Sequence, residues 1–307
     1  MSAAKLPDDP LWPRASAWIA RAGDGAPAGD IALLGVPAHV SSITPTGAHA
    51  TPAAVRDALA RYSTYSASAG VDVATLAAVD LGDVREPDGH DGEMRVSEAA
   101  EAAGDGFGLL IAIGGDNSIT FPLMRGLAHG ELKGWGLVTL DAHHDLRDGE
   151  SNGSPVRRLI EAGLPGEHVV QIGIADFSNS AAYAERAREL GITVMTRASL
   201  RHADLAETIA EALRIAGHGG RSVYVDLDVD VCDRAEVPGC PSAAPGGISA
   251  DELRAITRLL ASDPRVRGID ITEIDATIDA PDGRTARLAA LLVLEAAAGF
   301  ALRPNLT

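Results

Sequence analysis

The sequence predicts an α/β fold in which a mostly parallel sheet of eight strands is covered by helices on both faces. Apolar, β-branched runs alternate with runs rich in Ala, Glu and Arg along most of the 307 residues, which is the pattern of strand–helix units. Several runs, such as Leu109 to Ile113, are apolar at every position, as in strands buried on both faces. Hydrophobic residues make up 46% of the chain and aromatic residues 4%, so we expect a core of small aliphatic side chains.

The elements follow from these runs in order along the chain. Strands are predicted at 31–35, 77–81, 108–113, 137–141, 169–174, 193–196, 222–228 and 268–273. Helices are predicted at 52–62, 95–103, 119–129, 155–162, 180–190, 203–216, 250–262 and 285–300. The clearest helix start is Ser249, an N-cap residue that is followed by the first-turn acids Asp251 and Glu252.

We expect one domain over residues 1–307, because the chain has neither a Pro/Ser-rich linker nor an internal repeat. Residues 1–29 are rich in Pro, Ala, Gly and Asp and are expected to wrap the surface. The absence of a signal pattern and of a run of about 18 apolar residues indicates a cytoplasmic protein. The net charge of −17 argues against nucleic acids and anionic membranes as partners. Cys232 and Cys240 do not make a disulfide framework, and we favour ordinary loop residues over a functional thiol.

Two acidic runs carry the chemistry. The run Asp141-Ala-His-His-Asp145 follows one apolar strand, and a second acidic run that contains Asp228 and Asp230 follows another. Side chains at i and i+2 of an extended strand point to the same side. Asp228 and Asp230 should therefore project together, as should Asp141, His143 and Asp145 if the strand continues. Unpaired charges could not stay so close, so a pair of divalent cations is expected to neutralise them.

Ligands of parallel sheets collect at the C-terminal ends of the strands. The segment Gly114-Gly-Asp-Asn-Ser118 and the residue Glu273 also follow predicted strands, so four polar clusters should meet at one edge. Other interpretations of single motifs are weaker. A lone Asp-x-Asp is often a solvated turn, and Gly114-Gly115 lacks the Lys of a phosphate loop. His144 alternates away from His143 and should pack or cap rather than bind metal.

Several spaced motifs occur along the chain: Leu34-Gly-Val-Pro37, Gly47 to Arg56, Asp80-Leu-Gly-Asp83, Gly114 to Ser118, Asp141 to Asp145, Leu227 to Asp233 with Pro238-Gly239, Gly246-Gly247 and Thr272-Glu273. These motifs, in the same order, resemble those of the ureohydrolase family, which includes arginase, agmatinase and formimidoylglutamase. The resemblance implies an arginase-like three-layer αβα fold, two manganese ions per subunit and a homo-oligomer, a trimer or a hexamer.

The resemblance also implies roles for single residues. Asp141 and Asp228 would bridge both metals, Asp145 would complete the first site, and His143 and Asp230 would complete the second. The sixth ligand of the family is a histidine, and the corresponding residue here is Asn117. An amide oxygen binds manganese less strongly than imidazole does, so the first metal should be held weakly. Some formimidoylglutamases carry Asn at this position.

Such a centre can activate a water for attack on an amidine or guanidine carbon. Asp145 would carry the proton to the leaving nitrogen, and Glu273 would accept hydrogen bonds from the N–H groups of the substrate. A small amidine or guanidine is therefore the expected partner.

The segment after the first acidic run resembles formimidoylglutamases more than arginases. It supplies five candidate substrate residues: Arg147, Asn152, Ser154, Arg157 and Arg158. Arginine is the natural bidentate partner of a carboxylate, although Arg157 and Arg158 could equally be surface charges at a helix start. The favoured function is hydrolysis of N-formimidoyl-L-glutamate to L-glutamate and formamide, a reaction of histidine degradation. The alternatives are an agmatinase or another guanidino hydrolase that releases urea, and a degenerate family member without activity.

Overall fold

The computed structural model describes residues 9–23 and 28–304, and nine of the strands in these residues form one sheet that is parallel throughout. The order of the strands across this sheet is β1-β5-β2-β6-β11-β10-β7-β8-β9, and β3 and β4 form a separate antiparallel pair. The strands are β1 (Ala20–Arg21), β2 (Gly29–Val36), β3 (Tyr65–Ser66), β4 (Val71–Asp72), β5 (Ala78–Asp83), β6 (Phe107–Gly114), β7 (Trp135–Leu140), β8 (Val169–Ile174), β9 (Thr193–Thr196), β10 (Ser222–Asp228) and β11 (Val266–Thr272).

The predicted α/β class is confirmed, and all eight predicted strands are present. The predicted number of strands in the sheet was one too low, because β1 pairs with the edge of β5 through Ala20 and Arg21. Both residues of β1 are exposed, so this strand has no apolar pattern that sequence could have revealed. Residues 1–8 and 24–27, part of the predicted surface-wrapping segment, lie outside the described residues. The single-domain interpretation stays a prediction.

All eight predicted helices are present, and two helices of four residues, α1 and α7, were missed. The predicted start of α9 is confirmed, because Ser249 and Glu252 exchange hydrogen bonds in a capping box. No helix in the described residues is long and apolar enough to cross a membrane. The helices are α1 (Ala15–Trp18), α2 (Thr51–Leu59), α3 (Gly89–Gly106), α4 (Thr120–Leu127), α5 (Pro155–Glu161), α6 (Ala181–Glu189), α7 (Arg197–Leu200), α8 (Leu205–Ala216), α9 (Ala250–Ala261) and α10 (Arg284–Ala301).

Successive residues of the central strands face opposite helical layers. On β6, Leu109 and Ile111 belong to a core that also contains apolar residues of α2, α8, α9 and α10. Leu110 and Ala112 belong to a second core, which contains residues of α3, α4, α5 and α6. A strand with both faces buried must be apolar at every position. The three-layer αβα architecture is therefore confirmed.

Small residues let the helices approach the sheet closely. A Cβ atom on Gly136 of β7 would lie 2.1 Å from the carbonyl oxygen of Ala216, at the end of α8. In α10, the small residues Ala296 and Ala297 are also fully buried. The expected core of small side chains is present.

The order of the strands brings distant parts of the chain together. β6 and β7 are consecutive in the large sheet along the chain, yet β11 and β10 lie between them. The four central strands β6, β11, β10 and β7 are all parallel. Their C-terminal ends therefore meet at one edge, next to each other, although the chain segments are far apart in sequence.

Candidate metal centre

Predicted site residues follow each of the four central strands. Asp141 comes after β7, Asp228 is the last residue of β10, and Glu273 comes after β11. Asn117 begins a short 3-10 turn after β6. Because Leu140 pairs with Leu227 and Thr272 pairs with Asp228, these side chains emerge at the same level of the sheet edge.

The tightest group of candidate ligands consists of Asp141, His143 and Asp230. Their ligand atoms all lie within 4.8 Å of one another. The Nδ1 atom of His143 is 2.8 Å from Oδ2 of Asp230 and 3.5 Å from Oδ1 of Asp141. The second oxygen of Asp141, Oδ2, is buried and has no hydrogen-bond partner in the described structure. A buried carboxylate oxygen without a partner is costly, and a cation would satisfy it.

These side chains converge through turns, not through the extended backbone assumed from sequence. β7 ends at Leu140, and Asp145 has a left-handed backbone with φ of 53°. Asp228 caps a 3-10 turn in which the backbone N–H of Asp230 donates to Asp228 Oδ1 at 2.8 Å. The turns are favoured because short polar side chains bond the backbone two residues on. Left-handed backbone at a residue other than Gly is costly and typical of functional sites.

Asn117 lies in the centre but presents its amide nitrogen. Its Nδ2 donates to Oδ2 of Asp145 at 2.7 Å, while its Oδ1 accepts from the hydroxyl of Thr272 at 3.0 Å. The Thr120 hydroxyl lies 2.9 Å from the same oxygen. Hydroxyl donors on the oxygen favour this orientation of the amide. Coordination through Oδ1 would require the amide to turn over.

A close crossing of two loops fixes the segment that carries Asn117. A Cβ atom on Gly115 would lie 1.8 Å from the carbonyl oxygen of Ala38, so no larger residue fits there. The Asp116 N–H donates to that oxygen at 2.9 Å. The carbonyl of Gly115 in turn accepts from the N–H of Glu273 at 2.9 Å, which links this loop to the predicted catalytic residue that follows β11.

Glu273 is held by two donors on the same oxygen. Its Oε1 accepts from the backbone N–H of Asn117 at 2.8 Å and from Nδ2 of Asn152 at 2.9 Å. Like Asp145, Glu273 has a left-handed backbone, with φ of 62°. The carboxyl group is thus fixed at the wall of the centre by residues from two other loops.

Burial and mutual repulsion dominate the electrostatics of the centre. Burial, followed by neighbouring carboxylates, raises the pKa of Asp141 and of Asp228 well above the usual range. Burial likewise raises the pKa of Asp145 to about 7 and that of Glu273 to about 8. A carboxyl with a raised pKa holds a proton that a cation can replace.

His143 and Asp230 form the compensating pair. Burial lowers the pKa of His143, but the charge of Asp230 and hydrogen bonds to Asp141 and Asp230 raise it more, to about 12. Burial raises the pKa of Asp230, but the His143 charge outweighs burial and the pKa is lowered. Without a cation, the histidine therefore supplies the positive charge.

A second acidic pair lies beneath the ligands. Asp226 of β10 and Asp270 of β11 are register partners and are fully buried. Oδ2 of Asp226 is 3.5 Å from Nδ2 of Asn117, and Oδ2 of Asp270 accepts from the Tyr224 hydroxyl at 2.9 Å. Asp226 belongs to the second acidic run, but no role was predicted for it from the sequence. Its spacing of two from Asp228 was the available signal.

The candidate substrate residues divide into two groups. Arg147 and Asn152 line a cavity of about 160 Å³ together with Asp145, Asp228 and Glu273. Residues that sequence did not single out also line it, and no strand-end motif marks them. They are Ile43, Thr44, Ser178, Asn179, Tyr183 and Ser242.

Ser154, Arg157 and Arg158 do not line this cavity. Arg158 makes paired hydrogen bonds to Glu93, at 2.6 and 2.7 Å, and lies 4.0 Å from the ring centroid of Phe121. Arg157 donates to the carbonyl of Arg147 at 2.7 Å, and the Ser154 hydroxyl donates to the Ser151 carbonyl. The structure thus places them in support of the loop. Their predicted contact with substrate stays a prediction.

Comparisons with known proteins agree on one family. Residues 29–299 match the sequence model of the arginase family. The formimidoylglutamase of Halalkalibacterium halodurans is 38% identical over 281 residues, which cover 88% of this chain and 87% of that protein. The crystal structure of formimidoylglutamase from Bacillus subtilis superposes with a TM-score of 0.90 at 34% identity and covers 99% of this chain and 97% of that chain. The mitochondrial guanidino acid hydrolase of Homo sapiens is 30% identical over 277 residues, which cover 87% of this chain and 77% of that protein.

The metal-free protein should lose stability as pH rises from about 6 to about 8.5. Folding raises the pKa of Asp145 to about 7 and of Glu273 to about 8, so the folded state keeps protons there that the unfolded chain has already lost. This stabilising contribution disappears as pH passes each folded-state pKa, and His143 acts in the same direction. Scanning calorimetry after chelation should show Tm falling over this range. Manganese should remove the slope, and a metal-free Tm that is constant or rises would contradict the expectation.

Asn117→His should tighten manganese binding at the first site by about tenfold or more. Even a residue that only orients a metal ligand changes metal affinity by about that factor when it is lost. The imidazole is the stronger donor for manganese. Isothermal titration calorimetry measures the effect, with Asn117→Ala as the control that separates loss of the amide from gain of the ring. An unchanged dissociation constant in the histidine variant would place Asn117 outside the first metal site.

Proposed function

Because the chain belongs to the arginase family, we propose that it hydrolyses N-formimidoyl-L-glutamate to L-glutamate and formamide with two manganese ions. The chain is a formimidoylglutamase-like, metal-dependent hydrolase over nearly its whole length. The observation that carries the choice of substrate is a single cavity that joins the carboxylate cluster to Arg147. Hard oxygen donors with one imidazole suit manganese, and the unpartnered Oδ2 of Asp141 fits a cation.

Six side chains are available to hold the metals. Asp141 and Asp228 would be shared by the two metals, Asp145 and Asn117 would hold the first, with the Asn117 amide turned over, and His143 and Asp230 would hold the second. When bound, two divalent cations lower the pKa of water towards neutrality and supply a nucleophile at neutral pH.

The residues of the chain orient the amidine and handle the proton. Water adds to the amidine carbon, the bond from that carbon to the glutamate nitrogen breaks, and the nitrogen must gain a proton. Asp145 lines the cavity, and burial raises its pKa to about 7, which suits a group that takes a proton and gives it back near neutral pH. The two donors on Glu273 both fall on Oε1, and we assign Oε2 to the N–H groups of the amidine.

Arg147 is the proposed contact for a substrate carboxylate. The loop from 147 to 153 closes on itself, with the Arg147 N–H donating to the Gly153 carbonyl at 2.9 Å. A Cβ atom on Gly153 would lie 2.7 Å from Cδ of Arg147 and 3.2 Å from Cδ1 of Ile43. The missing side chain at Gly153 therefore makes room for the arginine at the cavity wall.

Guanidino acids are the second candidate class. The observation that favours them is the similarity to a guanidino acid hydrolase, and a guanidino acid also offers a planar N–H group and a carboxylate. Agmatine has no carboxylate for Arg147 to bind, and we rank it lower.

The products decide between these substrates. Manganese-loaded protein should release formamide from N-formimidoyl-L-glutamate and little urea from 4-guanidinobutyrate, arginine or agmatine. Asp228→Asn, which removes a shared ligand, is the control for contaminating activity and should lower kcat by at least about a thousandfold. Urea release from a guanidino acid without formamide release would overturn the choice of substrate.

Arg147→Ala should raise KM for N-formimidoyl-L-glutamate by roughly tenfold to a hundredfold, which corresponds to a hydrogen-bonded ion pair of about 1.5–3 kcal/mol. Gly153→Ala should shift KM in the same direction, because the added methyl group displaces Arg147. Steady-state kinetics provide the measurement. The matched control is Arg188→Ala, which removes an equal charge from a guanidinium that is 71% exposed on α6. An equal effect of the control would mean that overall charge, and not contact with Arg147, sets KM.

A further inference from the structure

His144 stands between two ligands but its side chain turns away from the centre. Its Nδ1 lies 2.6 Å from Oε1 of Gln171, and Nε2 of Gln171 donates to the carbonyl oxygen of His144 at 2.8 Å. A carbonyl can accept only, so the amide nitrogen of Gln171 must face it. The amide oxygen is then the acceptor of the imidazole proton, and Nδ1 of His144 carries that proton.

Gln171 would be an unfavourable residue in its buried strand without this hydrogen-bond partner. It lies on β8 between Val170 and Ile172, and all three side chains are fully buried. A buried amide without hydrogen bonds destabilises the folded state. The oxygen and the nitrogen of the Gln171 amide both form hydrogen bonds with His144. The polar residue in this buried strand therefore anchors the neighbouring loop.

Asn179 holds the same loop from the other side. It follows β8, and its Oδ1 accepts from the backbone N–H of His144 at 2.9 Å, while its Nδ2 donates to the carbonyl of Ala142 at 2.9 Å. The N–H of Ala175 donates to the same carbonyl at 3.0 Å. The backbone groups before and after His143 are thus tied to the segment that follows β8.

The tied backbone determines where the ligands point. The Ala142 N–H donates to Oδ1 of Asp230 at 3.0 Å, and the His143 N–H donates to Oδ1 of Asp141 at 2.6 Å. With the backbone held in this way, the His143 side chain points towards Asp230. Asp145, directly after His144, has its left-handed conformation.

We propose that Gln171 and Asn179 are positioning residues of the metal centre, which grip the backbone around His143 and so set the affinity of the second metal site. The proposal rests on the proposed dinuclear function. Residues that orient a metal ligand from outside typically change metal affinity by about tenfold to a hundredfold when they are lost. Neither residue is expected to contact the ions themselves.

The test uses two conservative variants. Asn179→Asp keeps the acceptor for His144 but loses the donor to Ala142, and Gln171→Glu keeps the acceptor for the imidazole but loses the donor to the His144 carbonyl. Each should weaken the second manganese by about tenfold or more and leave the first within about twofold, as resolved by calorimetric titration. The paramagnetic resonance signal of the coupled manganese pair should fade at limiting metal, and excess manganese should restore the signal in both variants. In Gln171→Glu, which does not line the cavity, excess manganese should also restore kcat with KM unchanged.

The matched control is Thr139→Val. Thr139 is the register partner of Gln171 on β7, is fully buried, and its hydroxyl has no hydrogen-bond partner in the described structure. Loss of that hydroxyl should leave both manganese affinities unchanged. If Gln171→Glu does not fold, Asn179→Asp, on a half-buried loop residue, still decides the question.

The outcomes separate this inference from the proposed function. Wild-type protein that binds two manganese ions, with unchanged affinities in both variants, would overturn the positioning role alone. Equal weakening of both sites in the variants and in the Thr139 control would mean a general loss of packing, and would also overturn it. Wild-type protein that binds no manganese would overturn the proposed function and this inference together.

Discussion

Repulsion among buried carboxylates is the constraint on which this structure depends. Asp141, Asp145, Asp228, Asp230 and Glu273 are all at most 7% exposed and meet at the ends of three adjacent strands, β11, β10 and β7. Unpaired, such charges would be expelled from a low-dielectric interior or would bind protons. One histidine offsets part of the charge, and the remaining acids keep raised pKa values. This cluster of carboxyl groups at the edge of the sheet is therefore stable only when it holds protons or cations.

The surrounding structure keeps these carboxyl groups close together despite their mutual repulsion. Asp145 and Glu273 keep costly left-handed backbones, which persist only where neighbouring contacts over-determine them. Those contacts come from two other loops: Asn117 donates hydrogen bonds to both carboxyl groups, and Asn152 donates to Glu273. Beneath them, Asp226 and Asp270 extend the buried acidity into the sheet. The rigidity is consistent with a centre prepared for cations before they bind.

The proposed substrate is acidic, and so is the protein. With a net charge of −17, the long-range field repels a molecule with two carboxylates. Arg147 provides a local exception at the cavity wall, while Arg158 is neutralised by Glu93 and Arg157 is engaged with the backbone. Recognition of the proposed substrate would therefore rest on short-range contact in the cavity, where a charged pair is stronger than at the surface.

The sequence by itself determined the class of fold and the donors of the centre. Strand–helix alternation requires parallel strands, and parallel strands place whatever follows them at one edge, so Asp141, Asp228 and Glu273 could be grouped without coordinates. The tertiary structure decided how each donor points. Asp145 turns through a left-handed residue, Asn117 presents nitrogen because Thr272 occupies its oxygen, and Arg158 leaves for Glu93. These directions are set by hydrogen bonds between segments that are distant in sequence, which local propensity does not encode.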